Sequence, residues 1–250
     1  MIRATGVTKR FGDQSVLDGV SLEVPTGETV AVLGRSGTGK SVLLKQVAGL
    51  LEPDAGEIWI GEERLTGAPR SRVMRLRLRM GYVFQFGALF DSMTVAENVA
   101  MALRRHLVPE GEIASRVTVA LETVGLSGEG SRLPAELSGG MRKRAAVARA
   151  VVARPDYLLY DEPTTGLDPV TKGMIDELML RLKRELRATS LLVTHDLRSA
   201  FRVADRIAML SEGRIRQVGT PEEIQASEDP AVRAFLEGRR DVWPRPGETR

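Results

Sequence analysis

The chain has 250 residues with 36 basic and 33 acidic side chains, and its net charge of +3 is too near balance for a protein that wraps nucleic acid by bulk charge. It has no Cys, two His (His106, His195), one Asn (Asn98) and six Lys, which excludes disulfides, thiolate catalysis and Cys-ligated zinc and leaves little material for a His-built metal site. At 42% hydrophobic and 28% charged it is an ordinary globular composition, and its longest stretch without Asp, Glu, Lys or Arg, 80–90, is eleven residues where a membrane-spanning helix needs about 20.

The N-terminal stretch MIRATGVTKRFGD has no apolar run that would serve as a signal-peptide core, so a cytoplasmic protein is expected. Residues 2–24, with 57–60, read as antiparallel strand pieces packed on one side of a core. TVAVL (29–33), YLLY (157–160) and SLLV (190–193) are short apolar runs bounded by turn residues, the pattern of parallel strands buried on both faces. Helical patterns lie between them: 41–48, then a start at Thr94-Val-Ala-Glu97 that reads as a capping box. An Ala-rich helix covers 145–153, and in 171–187 Ile175, Leu178, Leu182 and Leu186 recur at three- to four-residue spacing. Thr220-Pro and Asp229-Pro each put a capping residue before Pro at a helix start. Alternating strands and helices predict an α/β core with helices on both faces. The end of the chain, 238–250, carries two Pro and two Gly without periodicity and reads as a loose tail.

Two motifs carry chemistry without further help. Gly34-Arg35-Ser36-Gly37-Thr38-Gly39-Lys40-Ser41 follows an apolar strand and precedes a helical stretch, which is the context a P-loop needs. Glycines let backbone N–H groups approach phosphate oxygens, the helix start adds a positive dipole end, Lys40 supplies a mobile charge for the β- and γ-phosphates, and Ser41 offers a hydroxyl to Mg²⁺. Asp161 and Glu162 end the strand YLLY at the side of an open sheet where ligands bind. Asp161 is expected to hold Mg²⁺ through water, and Glu162, pointing elsewhere, to polarise the attacking water. A guanine-reading Asn-Lys-x-Asp loop is excluded, because the one Asn is followed by Val99.

Further motifs follow in order: Gln85 after Tyr82-Val-Phe, Leu137-Ser138-Gly139-Gly140-Met141 opening a helix, Gly166-Leu167-Asp168, and His195 just past an apolar strand. At these residues the sequence resembles the nucleotide-binding subunit of ABC transporters over about 2–238. The resemblance implies a P-loop ATPase with a RecA-like parallel sheet, an antiparallel β subdomain, a helical subdomain at about 86–155 and a tail at 239–250. Ser138, Gly139 and Gly140 form a second anion nest by their own chemistry; the resemblance implies that it closes on ATP held by a second copy, giving a homodimer with nucleotide sandwiched at its interface. It also implies that Gln85 senses Mg²⁺ and water and connects to a membrane permease, that His195 contacts the γ-phosphate, that Asp168 works across the dimer interface and that Phe11 stacks on adenine. Met141 and Phe11 depart from the usual Gln and Tyr. His106 has no such context and reads as a surface residue.

The wording around Gly81–Phe90, Ser-Gly-Gly-Met and 194–206 is similar to the ATPases of lipid transporters that work with MCE-domain proteins, such as the Mla phospholipid system. This implies a peripheral protein on the cytoplasmic face of the inner membrane that hydrolyses ATP for separate permease subunits and an MCE-domain partner. The alternatives are the ATPase of a small-solute importer, such as one for amino acids, and a soluble non-transport ATPase of the same family. A DNA-repair type would need a long coiled coil between Lys40 and Asp161, where no heptads are sustained, and a ribosome-acting type would need two ATPase domains. Phe86, Leu89 and Phe90 read either as a groove for a permease helix or as loop residues folded into the helical core. Arg70, Arg72, Arg75, Arg77 and Arg79 read as a solvated helix face rather than a headgroup contact.

Overall fold

A computed structural model describes residues 1–238. In chain order the elements are β1 (Ile2–Phe11), β2 (Gln14–Val24), β3 (Thr29–Leu33), α1 (Lys40–Val47), β4 (Ala55–Ile60), β5 (Glu63–Arg64), α2 (Arg70–Leu78), β6 (Met80–Val83), α3 (Val95–Arg105), α4 (Glu110–Thr123), α5 (Gly139–Val151), β7 (Tyr157–Asp161), α6 (Pro169–Leu186), β8 (Thr189–Thr194), α7 (Leu197–Val203), β9 (Arg206–Ser211), β10 (Arg214–Gly219), α8 (Pro221–Gln225) and α9 (Pro230–Leu236). The expected loose tail, 239–250, lies outside the described residues.

Two sheets form. One is antiparallel, in the order β2-β1-β4-β5, and contains the stretches 2–24 and 57–60 expected to form antiparallel strand pieces. The other runs β10-β9-β3-β8-β7-β6, parallel except for the hairpin partner β10. Its three central strands explain why the apolar runs are continuous. Ala31, Leu33, Leu158, Tyr160 and Leu192 face a core shared with α3, α5 and α6. Their neighbours Val30, Val32, Leu159, Leu191 and Val193 face a second core shared with α1 and the antiparallel sheet. Every residue of these strands is buried on one side or the other, so their middles are apolar, and the polar residues Thr29, Asp161, Thr189, Ser190 and Thr194 stand at or next to the strand ends. The β9–β10 hairpin and α4 carry no signal used above: β10 alternates between exposed and half-buried residues at the sheet edge, and α4 buries only Ile113, Val117, Ala120 and Leu121.

Helix starts follow their caps. The Thr94 and Thr220 hydroxyls accept from the backbone N–H three residues on, with Glu97 and Glu223 reaching back to close capping boxes. Asp229 caps α9 ahead of Pro230. The single Asn has a structural task. Asn98 on α3 is fully buried; its carbonyl accepts from Phe90 N–H (2.7 Å) and its amide donates to the carbonyls of Phe90, Met93 and Thr94 (3.0–3.1 Å). It holds the loop between β6 and α3. Asn98→Ala leaves buried backbone groups unpaired and is expected to cost about 2–3 kcal/mol. For a chain of this size that is a fall of roughly 4–12 °C in thermal unfolding. A fall under about 1 °C would show that the loop is held by other contacts.

Candidate functional site: a phosphate loop at the carboxyl ends of the parallel strands

The loop after β3 is shaped by its glycines. Gly37 and Gly39 have φ of +83° and +98°, in the left-handed region. Gly39 is also closely walled: a Cβ there would lie 2.8 Å from Leu17 Cδ2 and 2.9 Å from the Val16 carbonyl. Gly34 has no room either, since a Cβ would lie 2.4 Å from the Leu210 carbonyl. Helix α1 starts with no side-chain cap and no acid in its first turn, so its leading N–H groups point outward uncompensated, as an anion cradle requires. Lys40 is 5% exposed and folds back over the loop, donating to the carbonyls of Gly34 (2.8 Å) and Arg35 (2.9 Å). Burial lowers its pKa, and the Glu162 carboxylate 3.6 Å away partly offsets that.

The carboxylates stand where β7 ends. Ser41 Oγ donates to Asp161 Oδ1 at 2.7 Å, and the Tyr82 hydroxyl on β6 donates to Asp161 Oδ2 at 3.1 Å. Burial pushes the Tyr82 phenol well above its usual range, with Asp161 adding to it, so it acts as a donor and not as an acid. Glu162 takes φ of +48°, an uncommon conformation for a non-glycine residue. Its N–H donates to the Val193 carbonyl (2.9 Å), and its carboxylate turns away from Asp161 to meet His195 Nδ1 (2.7 Å) and to accept from Thr165 Oγ1 (2.9 Å) and His195 N–H (3.4 Å). The structure thus ties Lys40, Ser41, Asp161, Glu162 and His195 into one assembly. Tyr82 and Thr165 belong to it and were missed from the sequence. Among the described residues no three His, Asp or Glu side chains gather into a metal cage. The hydroxyl–carboxylate pair Ser41–Asp161 is a hard-oxygen donor set of the kind Mg²⁺ takes beside phosphate oxygens.

The other predicted residues form a second group. Ser138 caps α5, its Oγ accepting from Met141 N–H (3.2 Å), and Gly139 and Gly140 open the helix. This nest lies against the 166–168 stretch. A Cβ on Gly140 would come 2.5 Å from Thr171 Cγ2, and Thr171 Oγ1 donates to Asp168 at 2.5 Å. Asp168 also accepts from the N–H groups of Val170 and Thr171 as the cap of α6, a local task that its sequence position before Pro169 would have signalled. Gln85 lies between the groups. Its backbone carbonyl accepts from Lys143 Nζ, while among the described residues no hydrogen bond joins it to Ser41 or Asp161. Phe11 ends β1 beside the turn to β2, half exposed, with the Lys9 ammonium 5.7 Å from its ring centroid. The same hairpin supplies Val16 and Leu17, which wall Gly39.

The loop after Gln85 divides its apolar residues. Phe86 is 84% exposed and Phe90 half exposed, whereas Leu89 packs on the core. Leu89 thus follows the folded-in reading, while Phe86 and Phe90 stay at the surface. Phe90, Tyr82, Phe84, Leu50 and Met101 border a groove of about 570 Å³ whose charged lining is Arg77, Arg105 and Arg149, with no acid. The Arg-rich stretch is only partly a solvated face. Arg70, Arg72 and Arg75 are exposed, but Arg77 donates to the Ala48 and Gly49 carbonyls, and Arg79 pairs with Asp156 (2.7 Å) and Glu63 (3.6 Å). His106 is exposed at the end of α3, as expected.

Comparison with known proteins agrees with this geometry. Residues 17–165 match the ABC transporter family. The chain is 42% identical to the intermembrane phospholipid transport system ATP-binding protein MlaF of Escherichia coli K12, over 92% of this chain and 86% of that one. It is also 42% identical to the probable ribonucleotide transport ATP-binding protein mkl of Mycobacterium leprae, over 96% of this chain and 69% of that one. Among solved structures, CbiO1 of Clostridium perfringens, part of the transporter complex cbiONQ, superposes with a TM-score of 0.82 at 31% identity, covering 94% of each chain. A dimeric ATP-binding cassette in a post-hydrolysis state with ADP and Pi superposes with a TM-score of 0.81 at 30% identity, over 88% of this chain and 99% of that one. With its phosphate loop, paired carboxylates and second nest in this arrangement, the chain belongs to the ABC transporter family, as an ATPase.

Proposed function

We propose that this protein is the ATPase subunit of a lipid transporter of the Mla/MCE type, acting as a homodimer on separate permease subunits at the cytoplasmic face of the inner membrane. The observation that carries the enzymatic part is the pair of adjoining contacts at the strand ends, Ser41 bonded to Asp161 and Glu162 meeting both Lys40 and His195. ATP is held with its phosphates on the N–H groups of 34–41 and its adenine on Phe11; a base stacked on an aromatic is worth about 1–3 kcal/mol. Ser41 and Asp161, with Gln85 from the adjoining loop, would hold Mg²⁺, which supplies charge neutralisation at the β- and γ-phosphates. Glu162 takes a proton from the attacking water, and Lys40 together with a second copy's nest stabilises charge on the γ-phosphoryl oxygens. His195, already in contact with Glu162, turns to the γ-phosphate, and Asp168 acts across the dimer interface. The nest faces outward on a different part of the chain from the P-loop, which supports a head-to-tail pairing of two copies.

The ATPase domain spans 1–238 in this reading, with its helical subdomain at about 86–155. No helix of the described residues is long and apolar enough to cross a membrane, and the open apolar groove beside Phe90 supports docking of a permease helix. Its acid-free, arginine-lined wall suits a helix that carries acidic residues. The lipid substrate and the MCE-domain partner rest on the likeness to MlaF, while the equally similar mkl bears a ribonucleotide name, which supports the small-solute alternative. The deciding experiment is co-purification of the tagged chain from detergent-solubilised membranes with identification of bound proteins and lipids. Recovery of a permease with an MCE-domain protein and phospholipid is expected; a permease without either overturns the lipid reading.

A further inference from the structure

Two lysines are buried among the described residues, Lys40 and Lys143. The first belongs to the phosphate loop. Lys143 does not touch that loop. It lies on α5, one turn beyond the Ser138–Gly140 nest, 7% exposed, and its ammonium donates to two backbone carbonyls from distant parts of the chain. One is that of Gln85, after β6; the other is that of Glu162, after β7, at 3.3 Å.

Burying an ammonium is costly, and a methionine of similar length would fill the space without that cost. Burial lowers the Lys143 pKa, and the fields of Glu162 and Asp161 act in the opposite direction. The position therefore uses both the donors and the charge. Glu162 adds a need of its own: at φ of +48° its peptide leaves the line of the strand, and its carbonyl takes its bond from Lys143.

We propose that Lys143 is a positioning residue for ATP hydrolysis, its ammonium fixing the Gln85 peptide and the Glu162 peptide to each other and to the helix that begins at the anion nest. This inference rests on the ATPase reading above. The three elements it joins have different duties. The Gln85 loop leads into the groove wall at Phe90, β7 presents the two carboxylates, and α5 presents the nest. A displacement of the loop by a groove occupant reaches the Glu162 peptide through one side chain. Because Lys143 touches none of residues 34–41, the rate of hydrolysis depends on it and ATP affinity does not.

The test uses the purified full chain with Mg-ATP, measuring kcat, KM, ATP affinity and thermal unfolding for Lys143→Met and Lys143→Arg. Misplacing a catalytic group by about 1 Å costs on the order of 100-fold in rate. Lys143→Met is expected to lose at least about 30-fold in kcat, with KM and ATP affinity within about threefold, and Lys143→Arg, which keeps charge and donors, to recover most of the loss. If the Met variant does not fold, Lys143→Gln, a shorter neutral donor, takes its place with the same expected loss. A kcat within about threefold of wild type, or a loss that Arg does not repair, overturns the proposal. Wild-type protein without Mg-ATP turnover would strike the ATPase reading itself. Turnover that Glu162→Gln abolishes and Lys143→Met keeps would strike only the role of Lys143.

Discussion

Glu162→Gln is expected to bind ATP within about threefold of the wild-type affinity and to hydrolyse it at least about 100-fold more slowly. The substitution isolates the carboxylate's charge from its place in the structure. The amide oxygen still accepts from Thr165 Oγ1 and from His195 N–H, and still faces His195 Nδ1. The unusual backbone conformation at this position is no harder for Gln than for Glu, because both carry the same Cβ. What disappears is the negative charge that would take the water proton, and with it the attraction on Lys40, whose ammonium is 3.6 Å from Glu162 Oε1. A lysine released from that pair is more available to phosphate, so binding holds or tightens while turnover falls. Single-turnover measurement of phosphate release, with nucleotide binding followed separately, reads both. Near-normal turnover would remove Glu162 from the role of base and move attention to His195.

The parts of this site that were legible in the sequence are those whose chemistry is local. A phosphate loop is eight consecutive residues between a strand and a helix, and its requirements for positive φ and for an uncapped helix start are met within that stretch. Buried parallel strands were legible because both faces demand apolar residues. Helix starts were legible because a cap and its partner are three residues apart. What stayed hidden joins elements far apart in the chain. Tyr82 meets Asp161 across 79 residues, and Lys143 meets Gln85 across 58. No spacing rule gives such pairs, since they depend on which strands are neighbours in the sheet. Here β6 lies next to β7, which places Tyr82 beside the strand that ends in Asp161. Arg77 was misjudged for the same reason. Its helix looks uniformly charged, and only the packing of α2 shows that one arginine turns inward to the carbonyls at the end of α1.

Lys40→Ala is expected to weaken ATP binding by about 100-fold or more while leaving the fold largely intact. The lysine's two hydrogen bonds go to carbonyls of its own loop, Gly34 and Arg35. Their loss is partly repaid, because the variant no longer buries an ammonium whose pKa is already lowered by desolvation. In the complex the balance differs: an ammonium facing the β- and γ-phosphates makes charge-assisted bonds worth about 1.5–3 kcal/mol each, and nothing in the alanine variant replaces them. Stabilisation by ligand measures this without assuming any rate. At an ATP concentration about 100 times the wild-type dissociation constant, binding adds about 2.7 kcal/mol to stability, or roughly 5–10 °C in thermal unfolding for a chain of this size. A variant with a 100-fold weaker constant gains only about 0.4 kcal/mol under the same conditions, or roughly 1 °C. Equal ATP-induced shifts in the two proteins would contradict the assignment of residues 34–41 as the phosphate cradle. An alanine variant that already melts far below wild type without nucleotide would show that Lys40 serves the fold of its loop as much as the ligand.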